Sequence, residues 1–219
     1  MSSNSPGATP KQKHTTNSSK GPKKQSSSIS PEVPTHMPLF VIEHLEPKVY
    51  PWCILEYKHI SSVVRKNNLL ITKTANKKLA TFAKTSKKSI NELTFDTPCI
   101  LDPEAKETLT PKIAATYHSF IFGGILGDYP PRKRTQEEVK LPYPRYNLGK
   151  EQMSTDTAVI VTHNIVNGTP LEKMHFQDGI EIDIKKGESI QLPYRYLLVN
   201  GKPMLPPGLV QLLKKQKGF

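Results

Sequence analysis

A chain of 219 residues can bury the core of one domain, with or without a tail, and is short for two. Its 31 Lys and Arg against 19 Asp and Glu leave a formal charge of +12, which favours acidic partners such as RNA, ribosomes or anionic surfaces. Cys53 and Cys99, each inside an apolar run, exclude a cysteine-rich zinc site or a disulfide framework and read as reduced core thiols. No apolar run reaches the length of a membrane span, and the N-terminus lacks the apolar stretch of a signal peptide. The expectation is a cytoplasmic protein with no membrane partner.

Residues 1–36 are Ser, Lys, Pro and Thr with almost nothing apolar, and are expected to form a disordered basic tail. From residue 37 the pattern becomes that of a single domain. "LFVIEHL" reads as a first strand. "PWCILEYKHISSVVRK" opens with Pro and repeats Ile54, Leu55, Tyr57, Ile60, Val63 and Val64 at helical spacing. "NLLIT" is a second strand, and the Lys-rich residues 73–95 support at best a short helix. "TPCILD" and "SFIFGG" are the third and fourth strands. "STDTAVIVTHNIVNG" offers Ser154 or Thr155 as N-cap, a stripe of Ala158, Val161, Ile165 and Val166, and Asn167-Gly168 as a stop. "GIEIDI" and "SIQLPYRYLLV" are two further strands, and "PPGLVQLLKK" a closing helix with Lys at its negative end. Strands alternating with helices predict an α/β fold with a mainly parallel sheet and helices on both faces. Ligands of such folds bind at the carboxyl ends of the strands.

Three segments belong at that edge. "GGILGD", Gly123 to Asp128, lacks the spacing of a phosphate loop or a dinucleotide fingerprint, so nucleotide phosphates are not its obvious ligand; it fits both a binding loop and a plain tight strand exit. "YNLGKEQMSTDTA", Tyr146 to Ala158, runs through a polar loop into a capped helix whose first N–H groups suit an oxygen acceptor. Ordinary capping and dipole balance equally account for Glu151, Thr155 and Asp156, and packing for Met153. "QLPYRYLLV", Gln191 to Val199, has a proline inside an apolar strand; Tyr194 and Tyr196 fit both a ring-binding kink and a core bulge. None of the seven histidines has a partner pattern for metal binding or nucleophile activation, and His163 reads as a core or boundary residue. No metal is expected.

In this order, "FVIEHLEP", "WCILEY", "CILDPEAKETLTP", "FIFGGILGDYPPRKRT", "NLGKEQMSTDTAV", "LPYRYLLV" and "GKPMLPPGL" resemble the SPOUT methyltransferase family, and within it the SPOUT-type protein arginine methyltransferases. The resemblance runs from about Leu39 to Leu213. It implies a C-terminal trefoil knot, for which general folding rules give no support, and S-adenosyl-L-methionine as cofactor. The implied cofactor residues are Phe122, Gly123, Gly124, Ile125, Leu126 and Gly127 from the first segment. Leu148, Gly149, Gln152, Met153 and Thr155 come from the second, and Leu192, Pro193, Tyr194 and Tyr196 from the third. Adenine is expected among Leu126, Leu148, Leu192 and Tyr194.

A cationic arginine acceptor needs carboxylates to align a nitrogen lone pair and take up the released proton. Asp128 and Glu151 are the expected acids, with Asp156 and Glu43 as fallbacks on the substrate side; Arg132 and Arg134 are candidates for a substrate's acidic groups. The resemblance further implies monomethylation of an arginine in a small-subunit ribosomal protein, transient contact with the ribosome or rRNA, and a monomer. The alternative within the same fold is an rRNA or tRNA methyltransferase, which the positive charge fits, although no aromatic-plus-basic stripe for stacking bases is present. A binding module or ribosome assembly factor that keeps the pocket without catalysis is the alternative outside enzymes.

Overall fold

Strand β1 (Leu39–His44) sends Phe40 and Ile42 to one side and Val41 to the other, and all three are fully buried. Alternating side chains can all be buried only where both faces of the sheet are covered. The computed structural model describes residues 37–124 and 139–216, all within one compact unit. The expected tail over residues 1–36 lies outside the described residues. Strand β1 pairs with β2 (Leu69–Thr72) and β5 (Ser119–Gly124). Beyond these, β3 (Lys84–Thr85) pairs with β2, while β4 (Pro98–Leu101) pairs with β5 and β6 (Arg145–Tyr146). The order is β3-β2-β1-β5-β4-β6 and every pairing is parallel, so all six carboxyl ends share one rim.

On the first face Phe40, Ile42, Cys99, Leu101, Phe120 and Phe122 pack against helix α1 (Pro51–Val64), the single turn α2 (Pro111–Ala114) and helix α3 (Thr155–Val166). On the second, Val41, Ile100 and Ile121 are covered by Ile90 and Val139, with Leu141 and Tyr143 beside them. The helical cover of that face is, among the described residues, one 3-10 turn at Ile90–Glu92. Helix α1 starts on Pro51, as its sequence predicts, and stops at Val64 because Arg65 takes φ +73°. Helix α3 has Ser154 as N-cap and ends at Asn167, with Gly168 at φ +90°. Cys53 and Cys99 are free and fully buried, and burial pushes both thiols up to about 12, so they are inert core groups.

Residues 73–95 form 3-10 turns at Leu79–Thr81 and Ile90–Glu92 around the two-residue β3, not a helix. Their few apolar anchors, chiefly Leu79 and Ile90, are too far apart for a helical stripe but enough to pin two turns. The two late strands are not members of the parallel sheet. They are the arms of an antiparallel hairpin, β7 (Phe176–Lys185) and β8 (Glu188–Val199), extended by β9 (Lys202–Pro203). Only Lys186 and Gly187 separate the arms, and two residues cannot make a parallel crossover. Helix α4 (Leu209–Gln216) closes this hairpin by packing Leu209 and Leu213 on Ile182, Leu192 and Tyr196. Among the described residues no helix is long and apolar enough to cross a membrane.

Where α1 meets α3, Glu56 and Asp156 are both buried. The Asp156 carboxylate faces His59 Nδ1 at 2.9 Å, while Glu56 Oε2 finds no donor among the described residues. Burial first, and the Asp156 charge second, raise the Glu56 carboxyl well above its ordinary value of 4.5. Above that value the unfolded chain gives up a proton that the native chain keeps. The native state then binds more protons, and stability falls as pH rises towards the folded pKa. Glu56→Gln removes this penalty. Urea unfolding is expected to show the variant gaining on the parent from pH 5 to pH 8, by up to about 1.4 kcal/mol per pH unit. A gap that stays constant with pH would mean that Glu56 is ionised in the folded protein.

Candidate functional site

At the shared rim, β4 and β5 end beside the loop that leads into α3. Between them lies a cleft that is open to solvent on one side. Its walls come from Leu101, Asp102 and Pro103 at the end of β4, Phe122 and Gly123 at the end of β5, Leu148, Gly149, Glu151, Gln152 and Met153 in the loop, and Thr155 and Ala158 on α3. Apolar contact is provided by Leu101, Phe122, Leu148 and Met153. Gln152 Oε1 is buried and meets no donor among the described residues. A buried carbonyl oxygen without a partner is costly, so a ligand N–H is its natural complement. No side chain caps the first turn of α3, which leaves its early N–H groups and positive dipole end beside the cleft.

The loop owes its shape to both sides. Asn147 Oδ1 accepts from Gly149 N–H and from the Thr108 hydroxyl, each at 2.9 Å, and its Nδ2 donates to the Ala105 carbonyl. Gly149 sits at φ +99°, a conformation that L side chains rarely adopt. From the hairpin, Arg195 N–H donates to the Gln152 carbonyl at 2.8 Å, next to a bridge between Arg195 and Met153. The Arg195 guanidinium grips Asp178 with two bonds of 2.6 and 2.9 Å and lies over the Phe176 ring at 5.4 Å. Asp178 raises the Arg195 pKa first, and Glu151 on the loop attracts the same guanidinium. Its Nη1 stands 3.8 Å from where a Cβ on Gly149 would lie. Asp102, on the opposite wall, is held by Arg145 at 2.9 Å and by the Glu104 N–H at 3.0 Å.

The structure therefore brings together Phe122, Gly123, Leu148, Gly149, Glu151, Gln152, Met153 and Thr155 of the residues singled out in the sequence. Gly124 is the last residue of β5, paired with His44. Ile125, Leu126, Gly127, Asp128, Arg132 and Arg134 lie outside the described residues. Leu192, Tyr194 and Tyr196 pack with α4 in the core of the hairpin, and Pro193 stands at the register shift between Asp178 and Ile180, so these four do not line the cleft.

The two fallback acids do not line it either. Asp156 is held by His59 and by the Ser154 hydroxyl at 2.7 Å. The Glu43 carboxylate accepts from the Ser89 hydroxyl at 2.6 Å, from the Ile90 N–H at 3.0 Å and from the Thr72 hydroxyl, and is 1% exposed. Leu101, Asp102 and Pro103, which the sequence did not single out, also line the cleft. The signal was an acid followed by proline at the end of the strand "TPCILD". Among the described residues, no group of His, Cys, Asp and Glu forms a metal site.

A parallel sheet with a candidate ligand cleft at its carboxyl rim, walled by a glycine-bearing loop and a helix N-terminus, defines an α/β protein of the ligand-binding kind. Residues 39–218 match the family model described as "Protein arginine N-methyltransferase SFM1-like". The chain is 37% identical over 201 residues to protein arginine N-methyltransferase SFM1 of Saccharomyces cerevisiae, covering 80% of this chain and 94% of that one. Crystal structures of the yeast enzyme superpose with TM-scores of 0.74 for the complex with SAM and 0.71 for that with SAH. They are 34% and 33% identical, and cover 84% and 80% of this chain and 93% and 94% of theirs. The chain belongs to the SFM1-like family of protein arginine N-methyltransferases.

The Arg195 side chain braces the Gly149–Met153 loop while its main chain holds Gln152. Since exposed charge pairs are worth about 1 kcal/mol at most, Arg195→Ala is expected to speed amide exchange at Gly149–Met153 by about five-fold and leave β1 and β5 unchanged. Unchanged exchange in the loop would show that the main-chain bond alone fixes it.

Proposed function

We propose that this chain is an S-adenosyl-L-methionine-dependent protein arginine N-methyltransferase. The observation that carries the reading is the cleft itself. An exposed carboxylate, Glu151, lines a pocket that also holds the unpartnered Gln152 side-chain Oε1 and the open first turn of α3. Apolar Leu101, Phe122, Leu148 and Met153 suit a flat ring. Gln152 Oε1 suits an amino or ammonium donor, and the α3 terminus suits a carboxylate. These residues fit the bound nucleoside and amino acid of the cofactor, which supplies an electrophilic methyl group on a sulfonium.

The protein's task is then positioning, because displacement at a sulfonium needs no strong nucleophile to be generated. Glu151 accepts hydrogen bonds from the entering guanidinium and turns one nitrogen towards the cleft. As the nitrogen–methyl bond forms and the sulfur–methyl bond breaks, the guanidinium nitrogen loses a proton to a carboxylate. Asp128, five residues past Gly123 in the sequence, is the second acid of this reading. Arg195 holds the loop that carries Glu151 and limits how far that carboxylate swings.

The reading extends to monomethylation of an arginine in a small-subunit ribosomal protein, by a cytoplasmic monomer in transient contact with the ribosome. The kinship with the yeast enzyme and the positive charge of the chain support it. It also includes a knotted C-terminal half. The edge position of β6 beside β4 and the contact of Gln152 and Met153 with β8 are compatible with that threading.

The test supplies methyl-labelled cofactor and small ribosomal subunits, and counts label separately in protein and RNA. Label is expected in protein, as monomethylarginine; label confined to RNA would establish the RNA methyltransferase instead. Glu151→Gln is expected to lower kcat by about 10²–10⁴ while cofactor affinity stays within a factor of about two. Equal loss of affinity would make Glu151 part of the cofactor wall.

A further inference from the structure

Between Tyr57 and Asn91 the chain carries nine Lys and Arg and no Asp or Glu. The fold gathers six of them at one edge of the parallel sheet. Lys73 follows β2, Lys77 and Lys78 enter the 3-10 turn at Leu79–Thr81, Lys84 begins the edge strand β3, and Lys87 and Lys88 follow it. All six are exposed, and among the described residues none of Lys77, Lys78, Lys84, Lys87 and Lys88 is in an ion pair. A solvated edge protected against strand pairing is the plain alternative. An edge strand of two residues needs at most one such lysine, so protection does not account for six.

The lysines also stand on a stiff base. Lys73 N–H donates to the Lys88 carbonyl at 3.1 Å and Thr74 N–H to the Ser86 carbonyl at 2.9 Å. Asn76 Oδ1 accepts from Lys78 N–H at 2.9 Å. Ser89, next to Lys88, is anchored by the buried Glu43 carboxylate at 2.6 Å. Charges fixed in this way lose less entropy on binding than charges on a tail.

We infer that this edge docks the phosphate backbone of an RNA, without reading its bases. Lysine is a compact point charge with no planar fork, which suits phosphate contacts from many directions better than bidentate recognition of a carboxylate. No exposed aromatic ring interleaves with the six lysines, so base stacking is absent from the recognition. Position matters as much as charge. Lys73, Lys87 and Lys88 lie on the same carboxyl rim as the cleft. The spacing from β3 to β5 is three strands, about 14 Å. An RNA seated there holds a protein bound to it within reach of the cleft. RNA docking stands by itself; its use in presenting a substrate rests on the arginine methyltransferase reading.

The experiment measures fluorescence anisotropy of a labelled 20-base-pair RNA duplex with the full-length protein between 50 and 200 mM salt. The four-fold variant Lys77→Ala, Lys78→Ala, Lys87→Ala, Lys88→Ala is expected to bind at least about ten-fold more weakly at 100 mM salt and to lose about one unit of salt slope per phosphate contact removed. A second variant with Lys11, Lys13, Lys20, Lys23 and Lys24 changed to Ala is expected to keep most of the affinity. Its loss of binding, with full binding by the first variant, would assign RNA to the N-terminal segment and overturn the proposal. Tighter binding of poly-L-glutamate than of RNA would overturn it in favour of an acidic protein. Methyl transfer to a free polypeptide substrate is expected to be equal for parent and four-fold variant. Failure of RNA binding therefore leaves the activity untouched, and failure of methyl transfer leaves the binding result intact.

Discussion

Parallel pairing of all six strands is the constraint on which the site depends. Because no strand is reversed, every loop that leaves the sheet at its carboxyl end emerges on the same rim, and distant parts of the sequence meet there. Asp102, Gly123, Glu151 and Lys88 are neighbours of one edge for this reason alone. A parallel sheet must be covered on both faces, and here the helices and the apolar turns meet that demand at the cost of making the sheet interior wholly hydrophobic. Polar chemistry is left to the rim.

The rim is held by buried carboxylates. Glu43 ends β1 and gathers a main-chain N–H and two hydroxyls from β2 and the Ser89 turn. Asp102 ends β4 and gathers Arg145 and a main-chain N–H. Asp156 at the start of α3 does the same with His59 and Ser154. In each case a carboxylate at the end of an element satisfies donors that the turn would otherwise leave unpaired. Glu151, which is exposed and lines the cleft, accepts no such set of bonds among the described residues.

The sequence disclosed what periodicity can disclose. The apolar runs in "LFVIEH" and "SFIFGG" marked two strands, and the 3.6-residue stripe of α1 marked Tyr57, Ile60 and Val64 of its buried face but not Cys53 or Glu56. The Pro51 start and the Asn167-Gly168 stop gave helix ends. What it concealed was pairing at long range. The repeats in β7 and β8 read as strands but not as partners of each other, because the start of β7 at Phe176 lacks a clean alternation and the two-residue turn at Lys186-Gly187 is framed by charge. Glu43 and Asp156 looked like candidate acids because a sequence cannot show that another element has already claimed a carboxylate. The packing of Leu192 and Tyr196 against α4 was not legible either, because α4 lies in a later segment.

The rim also sorts charge along its length. At the β4–β5 end, two carboxylates, Asp102 and Glu151, line the cleft that the proposed reading gives to a cationic guanidinium. At the β2–β3 end, Glu43 is buried with the Lys73 ammonium 4.0 Å away, and among the described residues the exposed lysines there outnumber the one exposed acid, Glu92. A substrate that carried only positive charge would be drawn to the first end and repelled from the second. One that combined an arginine-bearing polypeptide with a polyanion would find both ends favourable, with the same sheet fixing the distance between them. Specificity in such an arrangement comes from the spacing of two opposed fields on one rigid edge, and a pocket of either sign alone could not impose it.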